Sequence, residues 1–195
     1  MVSLTKVGRK CYTIAMKSFD ELYAVAEGNF GLVTYAEAKE CGIGIRELDR
    51  WVKAGWLEKP ARGVYRVSRF PASEQDDFAV AVESVGLEAY LYGESVLALL
   101  KLCPTNPTWI YVASPKRVRR KLGERIKLIG GAGGYAYTNY DGVRAQKLHD
   151  AIVACRGYVR PDRRIAAVRE GERQGYLSRA EAGRLMKEIS NGAAS

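Results

Sequence analysis

Histidine and cysteine, from which most zinc and redox sites are built, are scarce in this sequence of 195 residues. Only one histidine is present, and the four cysteines form no C-x-x-C pair. This spacing cannot assemble a zinc site, so neither a metal nor another cofactor is expected. A disulfide framework is not expected either, because a chain of this length can bury a core without one and no signal peptide is predicted at its start. We therefore expect a cytoplasmic protein with reduced thiols at Cys11, Cys41, Cys103 and Cys155.

Long uninterrupted apolar runs are also missing. The most apolar window, residues 78–103, is broken by Glu83, Glu88 and Glu94. Three carboxylates are too costly in a membrane span. The sequence thus predicts no membrane partner, and its 47% apolar content predicts buried cores.

Acidic residues are fewer than basic ones, 22 against 31, which gives a formal charge of +9. The excess is uneven, because residues 1–70 carry +4, residues 71–113 carry −5 and residues 114–195 carry +10. Two basic regions therefore flank an acidic, apolar one. Such surfaces attract polyanions, and nucleic acid is the first partner to consider.

Catalytic signatures are absent as well. His149 stands beside Asp150, but a metal phosphohydrolase needs further histidines that the chain does not have. Asp141 and Lys147 lack the second carboxylate of a nuclease site. There is also no Gly-x-Ser-x-Gly motif and no phosphate-binding loop. The sequence predicts a protein that is not an enzyme, and a nuclease with a DNA-targeting domain stays as the alternative.

The first third of the chain has the pattern of a helix-turn-helix. Ser18 and Thr34 each begin a capping box, with a glutamate three residues later, and predict helices that end near Gly28 and Cys41. The glycines of Gly42–Gly44 predict a tight turn before a third helix over Ile45–Lys53.

The third helix is predicted to bury one face and expose a line of cations on the other. Ile45, Leu48 and Val52 recur at helical spacing and are expected to face the core. A recognition helix needs long hydrogen-bond donors, because guanine presents two acceptors in the major groove. The predicted donors are Arg46, Arg50 and Lys53.

The segment after this helix is predicted to form a wing. Two short strands, residues 56–58 and 64–67, flank a turn over Lys59–Gly63 that exposes Lys59 and Arg62. The sequence thus predicts a basic leader at 1–17, which could be an arm that reaches a groove, and a winged helix-turn-helix at 18–70 that binds double-stranded DNA. Winged helices also serve as protein–protein adaptors, and this alternative stays open.

Residues 71–195 are predicted to form a mixed α/β C-terminal domain, so that the fold class is α+β. Helices are expected over 73–85, 88–102, 146–155, 160–171 and 178–189, strands over 109–113, 125–129 and 142–145, and a flexible turn at 130–134. A short helix is expected to begin at Ser114-Pro115. Its cations either contact phosphates or form a solvated face: Lys116, Arg117, Arg119, Arg120 and Lys121.

Several motifs, taken in order, resemble the AbiEi-type antitoxins of bacterial type IV toxin–antitoxin systems. They lie in Gly31–Gly44, in Leu48–Leu57 (LDRWVKAGWL) with Arg62–Arg66 (RGVYR), in Trp109–Pro115 (WIYVASP) and in Gly142–Ala151 (GVRAQKLHDA). Each motif alone is weak, whereas their order and spacing are more specific, and the resemblance extends over nearly the whole chain.

The resemblance implies a winged-helix domain joined to a C-terminal antitoxin domain. It further implies a repressor that binds inverted repeats in its own promoter, which allows self-association on DNA. Neutralisation of a nucleotidyltransferase-like toxin without a stable complex is also implied, as part of abortive infection. The C-terminal region is short for that family.

Overall fold

The computed structural model describes residues 18–105, 107–130 and 137–192. The chain divides into two compact units, the first ending at Asp76 and the second beginning at Asp77. The predicted basic leader at 1–17 lies outside the described residues, as does the glycine run after Gly130.

The first unit contains three helices and a three-stranded antiparallel sheet. Its elements are α1 (residues 18–27), β1 (Leu32–Thr34), α2 (Tyr35–Glu40), α3 (Ile45–Lys53), β2 (Leu57–Ala61) and β3 (Val64–Val67). The strand order is β1-β3-β2. Strand β1 was not predicted, since three residues carry no measurable period and this strand exists only through its pairing with β3.

The capping box predicted at Thr34 is present. The Thr34 hydroxyl accepts a hydrogen bond from the Glu37 amide at 3.3 Å, and the Glu37 carboxylate accepts one from the Thr34 amide at 2.8 Å. Helix α2 ends at Glu40 with Cys41 as its C-cap, and Gly42 follows with a φ of 74°, a conformation that disfavours other residues. Both ends of this short helix are therefore encoded locally.

The core of the first unit holds α3 mainly through Leu48 and Trp51, which are 0% and 2% exposed. The Trp51 ring meets Phe19 of α1 edge-on, with centroids 5.1 Å apart. The prediction that Ile45 faces the core is wrong, because this side chain is 43% exposed. Ile45 is the first residue of its helix, and the buried stripe is centred one turn later.

The second unit is a five-stranded mixed sheet with helices. Its strands are β4 (Tyr90–Leu91), β5 (Ile110–Ala113), β6 (Ile126–Ile129), β7 (Tyr137–Tyr140) and β8 (Val143–Gln146), in the order β6-β5-β4-β8-β7. Strand β4 pairs antiparallel to β5 and parallel to β8. Its helices are α4 (Asp76–Val85, which begins at the unit boundary), α5 (Glu94–Leu99), α6 (Leu148–Ala154), α7 (Pro161–Arg173) and α8 (Arg179–Gly192).

The single helix predicted over residues 88–102 is wrong. Tyr90 and Leu91 form the central strand of the sheet, and helix α5 begins only at Glu94. Gly93 between them has a φ of 54°, and a Cβ there would lie 2.3 Å from the Tyr158 hydroxyl oxygen. An apolar run buried on both faces has no period that separates strand from helix, so the pattern could not reveal this break.

The short basic helix predicted after Ser114 is also wrong. Residues 114–125 connect β5 to β6 without helix or strand, and we call them the basic loop. The Ser114 hydroxyl accepts a hydrogen bond from the Lys116 amide at 3.2 Å, a local turn that competes with helix formation. Five cations within six residues would also repel one another on a helix.

A buried ion pair ties the sheet to α4. Arg144 of β8 donates to the Glu83 carboxylate at 3.0 Å and to the Ala89 carbonyl at 3.0 Å. The Glu83 side chain is 6% exposed, so its charge requires such a partner. None of the helices in the described ranges is long and apolar enough to cross a membrane.

Candidate nucleic-acid interface

Helix α3 is amphipathic, with its cations opposite its core residues. At about 100° per residue, Arg46, Arg50 and Lys53 fall within an arc of about 60° that faces away from Leu48 and Trp51. All three cations are exposed. Because Trp51 is buried in the core, the exposed face is presented by a fixed helix.

The three cations differ in their partners. Arg50 forms an ion pair with Glu47 at 2.7 Å, and the two side chains are 61% and 30% exposed. Arg46 and Lys53 have no ion-pair or hydrogen-bond partner among the residues that the structure describes. Arg46 and Lys53 can therefore bind a ligand directly, whereas Arg50 must first release the Glu47 carboxylate.

The hairpin of β2 and β3 follows α3 directly, and its turn is shorter than predicted. Only Arg62 and Gly63 connect the strands, and Gly63 takes a φ of 77°. The placement of Lys59 in the turn is wrong, because Lys59 lies within β2, where the pairing is irregular between Glu58 and Ala61. Pro60 cannot donate to a ladder and is tolerated here because β2 is an edge strand.

The hairpin nevertheless presents both predicted cations to solvent. Arg62 is exposed at the tip. Lys59 is exposed on the strand, with its ammonium nitrogen 5.4 Å from the centroid of the Tyr65 ring. Tyr65 itself is only 1% exposed, so its ring gives Lys59 a fixed support.

The basic loop of the second unit is fastened by two of its cations. Arg120 donates to the Val85 carbonyl at the end of α4, at 2.8 Å, and Lys116 is ion-paired with Glu88. Arg117 and Arg119 are exposed, and neither has an ion-pair or hydrogen-bond partner among the described residues. Lys121, the fifth cation of the predicted cluster, is likewise exposed and without such a partner in the described ranges, so Arg117, Arg119 and Lys121 are uncommitted.

Of the residues weighed for catalysis in the sequence, Lys147, His149 and Asp150 line one pocket. His149 and Asp150 are paired at 3.1 Å on α6, and Asp141 lies in the turn between β7 and β8. Within the described parts of the chain, no three histidine, cysteine, aspartate or glutamate side chains come together in a way that could hold a metal ion.

Two residues of this surface were missed from the sequence. Glu47 was not among the predicted residues, although its spacing of three from Arg50 favours a helical ion pair. The Tyr65–Lys59 contact crosses the hairpin, and the predicted turn began three residues too early, at Lys59 itself, so that Lys59 was not expected on a strand.

The family match lies within the first unit. Residues 20–68 match the family model described as "Transcriptional regulator, AbiEi antitoxin". No curated protein matches the chain. A crystal structure of the RV2827C protein from Mycobacterium tuberculosis is similar at 13% identity and a TM-score of 0.36, over 85% of this chain and 79% of that one. This likeness is too low to carry an argument.

The matched segment contains α1 from its third residue, α2, α3 and the complete hairpin. It includes the motifs at Gly31–Gly44, Leu48–Leu57 and Arg62–Arg66, while those at Trp109–Pro115 and Gly142–Ala151 lie beyond it. The match supports a regulatory role. The resemblance seen in the sequence is therefore confirmed over residues 20–68, which match the model of the AbiEi antitoxin family of transcriptional regulators.

Proposed function

We propose that the first unit is a winged helix-turn-helix that binds double-stranded DNA, and that the protein represses transcription from its own promoter. In this proposal α3 enters the major groove and the β2–β3 hairpin is the wing. The observation that carries the proposal is that α3 buries Trp51 on one face and exposes cations on the opposite face. A core-anchored helix with long donors is what base reading requires.

The hairpin supports the same orientation. Its cations follow α3 in the chain, and Arg62 is at the two-residue tip. A guanidinium at such a tip can contact the backbone or the minor groove beside the recognition helix. The wing therefore contributes affinity, and α3 contributes sequence preference.

The wider role follows the family of residues 20–68. We propose an antitoxin of a type IV system that works in the cytoplasm, binds inverted repeats as a self-associating repressor and counteracts a nucleotidyltransferase-like toxin without a stable complex. The second unit, which lies beyond the matched residues 20–68, is the proposed antitoxin domain. We propose that the protein is not an enzyme.

The test is a competition binding assay on the full chain. A preferred duplex is first selected from a randomised pool, and affinities for it and for a scrambled duplex are then measured by fluorescence anisotropy. Arg46→Ala or Arg50→Ala is expected to cost about 1–3 kcal/mol on the preferred duplex and far less on the scrambled one. Arg62→Ala is expected to weaken both by similar factors.

The matched control is Lys39→Ala, which removes an exposed cation from α2 and should change neither affinity. Equal losses for all the arginine variants on both duplexes would show that α3 does not read bases. Failure of the wild-type chain to bind any duplex would overturn the proposal itself.

A further inference from the structure

A cavity of about 420 Å³ in the second unit is lined by three arginines. It lies where the 155–160 segment meets the start of α7 and the end of α8, and its charged residues are Arg156, Arg160, Arg164 and Glu188. The lining thus carries two net positive charges. A cavity of this volume lies within the range of small-molecule sites, about 300–1,000 Å³.

Arg164 is the unusual member, because it is only 6% exposed. Its Nε donates to the Ile152 carbonyl at 3.1 Å. Its two terminal guanidinium nitrogens make no hydrogen bond or ion pair with any part of the chain that the structure describes. Neither terminal nitrogen is among the fully buried atoms that lack a partner, so both reach the solvent of the cavity, where an anion can accept their hydrogen bonds.

The lining holds Glu188 against three arginines, so positive charge stays in excess. Burial raises the pKa of the Cys155 thiol to about 12, and burial also raises the pKa of the Tyr158 phenol. Both groups are therefore neutral at pH 7. Arg160 is ion-paired with Asp162 at 3.0 Å, but both side chains are largely exposed, so this pair is weak and can be exchanged for a stronger anion.

We propose that this cavity binds a phosphate-bearing ligand of nucleotide size. The three guanidinium groups match phosphate oxygens, which arginine contacts through paired donors. Tyr158 is 50% exposed and lines the same cavity, so its ring offers a face on which a base can stack. The phosphate belongs either to a free nucleotide or to single-stranded nucleic acid. The site is separate from α3, and the inference does not rest on duplex binding by the first unit.

The experiment is isothermal titration of the full chain with three probes: inorganic phosphate, ADP and a short single-stranded oligonucleotide. ADP is expected to bind more tightly than inorganic phosphate, because only ADP can stack on Tyr158. Arg156→Ala and Arg160→Ala should each weaken ADP binding about tenfold, the loss of one charge-assisted hydrogen bond. Tyr158→Leu should weaken ADP binding and leave phosphate binding unchanged.

Matched controls separate the site from general charge effects. Arg169→Ala removes an exposed arginine from α7, the helix of Arg164, at a position outside the cavity. Arg46→Ala removes a cation from the first unit. Neither variant should change ADP binding. Thermal unfolding of each variant establishes that it is folded. If the oligonucleotide displaces ADP, the natural ligand is single-stranded nucleic acid. If it does not, the natural ligand is a free nucleotide. Binding of none of the probes at millimolar concentration, or equal losses for the cavity variants and Arg169→Ala, would overturn the proposal.

Discussion

At the scale of single residues, the ion pair between Glu47 and Arg50 sets how available one proposed DNA contact is. The pair lies on the exposed face of α3, and its distance of 2.7 Å is that of a direct charge-assisted contact. Exposed pairs of this kind contribute about 0.2–1 kcal/mol. Breaking the pair thus subtracts a small amount from the binding free energy of any DNA complex in which Arg50 contacts DNA.

Replacing Glu47 with glutamine should therefore strengthen duplex binding. We expect about two- to fivefold tighter binding, because the variant frees Arg50 and removes a negative charge that faces the phosphates. Fluorescence anisotropy on preferred and scrambled duplexes measures the effect. Glu27→Gln, an exposed acid on α1, is the control for net charge. An equal gain in both variants would mean that the ion pair does not limit Arg50.

A second residue-scale prediction concerns stability in the second unit. Glu83→Ala leaves Arg144 without its carboxylate partner in a largely buried setting, and we expect a loss of about 3–5 kcal/mol in the free energy of unfolding. Glu88→Ala breaks the exposed pair with Lys116 and should cost under about 1 kcal/mol. Urea denaturation of both variants gives the comparison. Similar losses would contradict the difference in burial on which the prediction depends.

At the scale of elements, the basic loop divides its cations between holding the fold and facing solvent. Arg120 serves the end of α4 through the Val85 carbonyl. Arg117 and Arg119 extend into solvent without a partner among the described residues. Reversing the charge of Arg119 and of Arg120, one at a time, should therefore affect DNA binding and stability differently.

Arg119→Glu is expected to leave stability unchanged and to weaken binding to every duplex alike, by about three- to tenfold, if the loop follows phosphates. Arg120→Glu is expected to lower the free energy of unfolding by about 1–3 kcal/mol, since it removes a hydrogen bond from a charged donor. Anisotropy and urea denaturation, applied to both variants, distinguish the two effects. Unchanged duplex binding in Arg119→Glu would identify that side chain as merely solvated, and a loss of sequence preference would contradict both interpretations.

At the scale of the whole molecule, the charge of +9 predicts strongly salt-dependent association with DNA. About 4–6 phosphate contacts per protomer would give a slope of about −4 to −5 in a plot of log affinity against log salt concentration. The slope is measured by anisotropy over a salt series with the preferred duplex. Arg62→Ala should make it shallower by about one. A slope near zero in the wild-type chain would contradict electrostatic DNA binding.

Local sequence signals determined the first unit well. The capping box at Thr34, the turn at Gly42 and the cationic stripe of α3 all depend on residues within a few positions of one another. Residues 20–68 also carry the family match. Such features are encoded by hydrogen bonds and periodicity along the chain, so composition and spacing suffice to predict them.

Only the tertiary structure decided which members of these patterns are used. Ile45 has the spacing of a core residue, yet its position at the start of α3 leaves it exposed. Arg120 and Arg119 are neighbours of the same type, but only Arg120 meets a carbonyl of α4, a contact between residues 35 positions apart.

The second unit depended most on distant contacts. Strand β4 exists because Tyr90 and Leu91 pair with β5 on one side and β8 on the other, and no local pattern records those partners. The cavity of Arg156, Arg160 and Arg164 likewise needs the end of α8 beside the start of α7. The sequence by itself determined the helices of the first unit, the cap at Thr34 and the charge, because these are local. The folded chain decided which side chains are buried, paired or free, because each of those states depends on neighbours that are remote in sequence.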